Sequence, residues 1–170
     1  HLEKALEYTK QCGEEKSMKV ATITDHLGIL YTSQGEFTTA KLYYSSAYNV
    51  YEKTIGRDDL TTSDCAFRLG KVLEELESNL ALEFFKESLR VHRLNMTEDD
   101  ERVAELLFCC GKFHLKNESH EDAVKSFEEA LDIRKQLLGD CSAVAEISYY
   151  LGKTYSDMIQ DEKALIFYRE

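Results

Sequence analysis

Cys109, Cys110 and His114 fall within one short stretch, and thiolate with imidazole is zinc-binding chemistry. Cys110 and His114 lie four residues apart, one helical turn on a shared face. No second ligand pair has recognisable spacing, however, and Cys110 stands where leucine stands in three similar stretches, at Leu27, Leu69 and Leu151. It is expected to be a core residue. The acid run TEDDE (97–101) lacks the ligand spacing of a calcium loop and reads as solvated helix-start chemistry. His26, His92 and His120 have no nucleophile or acid partner at useful spacing. No nucleophile elbow, phosphate loop, HExxH or paired-carboxylate motif occurs. The expectation is no metal, no cofactor, no small-molecule substrate and no catalysis.

A more regular pattern offers binding chemistry. Phe67 and Lys71, Phe108 and Lys112, and Tyr149 and Lys153 are aromatic–lysine pairs four residues apart, each with an acid three residues earlier (Asp64, Glu105, Glu146). Offsets of three and four put the three groups on one helical stripe. Asp25 and Ile29 occupy the matching positions of an earlier stretch. Lysines would recruit carboxylates, and the rings would supply flat apolar area. The competing reading is structural: each lysine lies along the ring of its own helix and the stripe only packs.

The elements that must hold this stripe announce themselves by period. Gly28, Gly70, Gly111 and Gly152 lie 42, 41 and 41 residues apart, inside the stretches DHLGILY, FRLGKVL, FCCGKFH and YYLGKTY. Ala40, Ala81, Ala123 and Ala164 follow in step, each with an aromatic four residues later (Tyr44, Phe85, Phe127, Tyr168). Apolar residues recur at steps of three and four, as at Leu42, Tyr43, Ala47, Val50 and Tyr51, which is helical spacing. Ser119, Asp140 and Asp161 are placed as helix-start signals. Strand-like alternation is absent. The reading is all-α, built from antiparallel helical hairpins. Glycine inside a helix costs about 1 kcal/mol relative to alanine. Close approach of the partner helix, with its small residue opposite, is the expected offset, the aromatic filling the space between hairpins.

The registers Leu-Gly-x-x-Tyr and Gly-x-Phe-x-x-Ala-x-x-x-Tyr-x-x-Ala over 27–47 resemble the tetratricopeptide repeat, iterated four times in phase. The period exceeds the usual ~34 residues by about two helical turns, and proline is absent. With phrases such as VYEKTIGRDD and DIRKQLLGDCSAVAE, this longer form looks like the kinesin-light-chain type. The resemblance implies an α-solenoid of about nine helical segments, a slice of a longer array incomplete at both ends. One array would cover 1–170: a second helix of a preceding repeat at 1–16, repeats at 17–56, 57–97 and 98–139, and a partial repeat at 140–170. It also implies that the first helices line a concave face. On it would lie Asp25, Ile29, Phe67, Lys71, Phe108, Lys112, Tyr149 and Lys153, binding a partner peptide that is acidic with an apolar anchor. The alternative is a spacer or self-assembling array without a groove. The paired asparagines that kinesin-light-chain repeats place before the leucine are replaced here by Asp25–His26, Phe67–Arg68, Phe108–Cys109 and Tyr149–Tyr150.

Composition narrows the partners. Of 170 residues, 21 are basic and 32 acidic, a net charge of −11 that repels phosphate backbones and anionic lipid. No apolar run approaches the ~18 residues of a membrane span. Five cysteines without a CxxC pair suggest reduced thiols and the cytoplasm. The partner is expected to be a protein or peptide, not nucleic acid or membrane.

Overall fold

The structure, a computed structural model, describes Lys4 and residues 17–95, 101–138 and 142–169. Every element among these residues is helical: α1 (Met18–Ser33), α2 (Phe37–Thr54), α3 (Leu60–Glu75), α4 (Ala81–Asn95), α5 (Glu101–Lys116), α6 (His120–Leu138), α7 (Ser142–Asp157) and α8 (Asp161–Phe167). The helix expected in 1–16, the start signal at Asp140, Cys12, Cys141 and most of the TEDDE run lie outside the described residues.

The helices pair as hairpins. In α1/α2, Gly28 faces Tyr44 while the Tyr51 hydroxyl reaches Thr22 Oγ1 at 3.5 Å, so contacts climb one helix as they descend the other. In α3/α4, Gly70 faces Phe85 and Ser63 Oγ meets Ser88 Oγ at 2.8 Å, the same antiparallel sense. The alanines of the second helices, Ala40, Ala81, Ala123 and Ala164, are all buried.

Each hairpin turns through a residue with positive φ: Gly35 (76°), Glu77 (55°), Glu118 (58°) and Ile159 (59°). The following N–H bonds a carbonyl five residues back in every case: Glu36 to Tyr31, Ser78 to Leu73, Ser119 to His114 and Gln160 to Tyr155, each at 2.9 Å. This is the Schellman closure of a helix C-terminus, where glycine is the unstrained choice. Only the first turn has it. At helix starts, Ser17 Oγ accepts from Val20 N and Asp59 Oδ1 from Thr61 N at 2.7 Å. Asp161 is not the cap of α8: Gln160 is, without a side-chain bond, and Asp161 sits in the first turn beside Glu162. There it favours the helix dipole instead.

The chain divides into two compact units, His1–Val91 and His92–Glu170. In the first, neighbouring hairpins meet where Cys65 Sγ donates to the Tyr44 carbonyl at 3.6 Å and where the rings of Tyr48 and Phe84 pack edge-on at 5.5 Å. In the second, Phe127 of α6 stacks on Tyr150 of α7 at 5.6 Å, and the Tyr155 hydroxyl donates to Glu128 Oε1 at 2.9 Å. None of the helices among the described residues is long and apolar enough to cross a membrane.

Candidate functional site

The glycines have a more specific purpose than close helix approach. A Cβ placed at Gly28 would stand 2.6 Å from the Tyr44 ring, at Gly70 2.7 Å from Phe85, at Gly111 2.5 Å from Phe127, and at Gly152 2.5 Å from Tyr168. Each glycine is a notch for the aromatic of its own hairpin. The ring seats first inside its own hairpin, reaching the next one at Phe127 through Tyr150, and the residue opposite the glycine is large, not small. With the ring seated, first and second helices lock at one axial position, which fixes where the residues flanking each glycine point.

Those residues divide by burial. In the first unit, Asp25 is buried and Ile29 is 45% exposed on α1, while Phe67 is 6% exposed and Lys71 half-buried on α3. In the second, Phe108 is 7% exposed and Lys112 half-buried on α5, while Tyr149 is 56% exposed and Lys153 exposed on α7. Phe67 packs on Phe85 at 6.0 Å, and Phe108 on Phe127 at 5.8 Å and Tyr150 at 5.3 Å. Two of the lysines lie over the ring of their own helix, Lys71 Nζ 5.7 Å from Phe67 and Lys112 Nζ 5.5 Å from Phe108. Among the described residues, then, the outward positions of the stripe are Ile29, Lys71, Lys112, Tyr149 and Lys153. Phe67 and Phe108 are the floor beneath them. Of the preceding acids, Glu105 bonds Arg102 on its own helix at 2.6 Å.

Asp25 is held by α3. Arg68 Nε reaches Asp25 Oδ1 at 3.1 Å and Nη2 reaches Oδ2 at 2.6 Å, a two-pronged pair joining first helices of successive hairpins. Burial draws the Arg68 guanidinium down, but the charge and hydrogen bonds of Asp25 outweigh it and hold its pKa above the usual arginine value. The same setting, burial first and Asp25's charge second, pushes the Cys65 thiol up.

Arg134 belongs to this neighbourhood although the stripe of first helices did not include it. It lies on α6, 9% exposed, with its guanidinium carbon 5.9 Å from the Phe108 ring centre. Among the described residues its buried Nε meets no acceptor. One ring thus carries two cations, Lys112 and Arg134. A signal existed in the sequence: Tyr51, His92 and Arg134 each stand seven residues after the ring of their hairpin, and all three polar side chains are buried. Cys110 takes its expected place in the core, 3% exposed beside Cys109 at 1%. Among the described residues no cluster of three or more His, Cys, Asp or Glu side chains is placed to hold a metal ion.

Sequence profiles of the tetratricopeptide repeat match residues 26–93 and 111–140. A TPR repeat-containing protein of Dictyostelium discoideum is 31% identical over 120 residues, covering 68% of this chain; the chain spans 7% of that relative's length. The fold matches BtubC (BKLC) from P. vanneervenii with a TM-score of 0.80 at 22% identity, over 87% of this chain and 60% of that one. It matches the TPR-like repeats of a putative kinesin light chain from Podosopora anserina with a TM-score of 0.83 at 12% identity, over 99% of this chain and 80% of that one. Iterated glycine notches, a 41-residue register, matching profiles over both units and a shared solenoid architecture make this chain a member of the tetratricopeptide repeat family, with the long-repeat fold of kinesin-light-chain-like proteins.

Proposed function

We propose that the chain binds an acidic protein segment, bearing an apolar anchor, on the concave face that its first helices form. Its general class is that of its family, a protein–protein interaction scaffold. The observation that carries the finer reading is the pair of cations on the Phe108 ring. Arg134 is nine-tenths buried with no acceptor at Nε among the described residues. An arginine cannot shed its charge, and a ring face only partly replaces a carboxylate. An acidic side chain of a partner placed beside the Phe108 ring meets both cations, Arg134 and Lys112. Tyr149 and Lys153 offer apolar and cationic contacts in the same unit, as Ile29 and Lys71 do in the first. Asp25, Phe67 and Phe108 support this face from beneath. A net charge of −11 argues against nucleic acid and anionic membrane as partners. Buried thiols at Cys65, Cys109 and Cys110 fit a cytoplasmic scaffold.

A spacer without a ligand has its own support, the burial of Phe67 and Phe108 and the seating of Lys71 and Lys112 on the rings of their own helices. Fluorescence anisotropy separates the readings. A labelled peptide rich in Asp and Glu around one Leu should bind the wild type, and its Asn/Gln counterpart should not. Arg134→Met and Lys112→Ala should each weaken the acidic peptide about tenfold or more, with helical content unchanged by circular dichroism. Equal binding of both peptides to all three proteins, or none, leaves the spacer.

A further inference from the structure

We draw no further inference here: the strongest candidate, the outward apolar face of α8 formed by Leu165, Ile166 and Tyr168 beside Tyr149, carries nothing because nothing in the structure shows what covers it.

Discussion

Adding one methyl group to Gly111 would press it against Phe127, which is fully buried and has nowhere to swing. Overpacking a core costs about 1–3 kcal/mol, against about 1 kcal/mol gained from helix propensity. Gly111→Ala should therefore lower stability in urea by up to roughly 2 kcal/mol. Gly152→Ala meets an equally close ring, but Tyr168 is 49% exposed and can move aside, so its cost should be near zero. Equal losses at both sites would show that burial of the ring does not set the cost, and no loss at either would show that the notch is not what the glycines serve. Ile159 makes the opposite case. A β-branched side chain at φ 59° carries about 1–2 kcal/mol of left-handed strain, and 87% of it is exposed. Ile159→Gly should raise the melting temperature by a few degrees. Cys65, sealed and with its thiol pushed up by burial, should resist iodoacetamide in the native protein and react on unfolding, read by peptide mass mapping.

Between elements, the Asp25–Arg68 pair joins α1 to α3, and its two halves differ in their access to water. The Asp25 side chain is 8% exposed and that of Arg68 29%. Removing the arginine strands a buried carboxylate, whereas removing the carboxylate leaves a cation that can turn toward solvent. Arg68→Met should cost about 2–4 kcal/mol and Asp25→Asn about 1–2, after discounting for the exposure of Arg68. A double-mutant cycle by chemical denaturation measures both; a costlier Asp25→Asn would reverse the account. This scale also shows where the sequence was legible. Helices, hairpins and turns followed from glycine, alanine and aromatic registers 41 or 42 residues apart, because stacked repeats write their period directly into the chain. Which of two candidate neighbours a residue touches is not periodic information. Asp25 therefore read as part of a ligand stripe, although its partner Arg68, opposite in charge and 43 positions on, was in plain view. The seat of the aromatic is not periodic information either. Helical spacing gives the face of Tyr44 but not whether that face meets α1 or the next hairpin.

At the scale of the whole molecule, the field and the proposed site oppose each other. A net charge of −11 repels an acidic peptide at long range, while Lys112 and Arg134 attract it at contact. The Debye length falls from ~30 Å at 0.01 M salt to ~10 Å at 0.1 M, so moderate salt screens distant acids before nearby cations. The association rate of the acidic peptide should rise over that interval and fall at higher salt, as followed by stopped-flow fluorescence. A rate that falls from the outset would show that net-charge repulsion does not govern the approach of the peptide. Arg134 itself was legible only in hindsight, since a polar residue at a buried register position looks like any helical arginine until its surroundings are known.

The seated rings also act as keys in keyways. An antiparallel helix pair held by apolar stripes alone can slide by one turn, ~5.4 Å, and still bury grease against grease. Here such a slip would drive Tyr44, Phe85 or Phe127 off its glycine and onto a side chain. Each hairpin is consequently indexed along its length, and a swapped hairpin should keep its alignment only if ring and notch travel together.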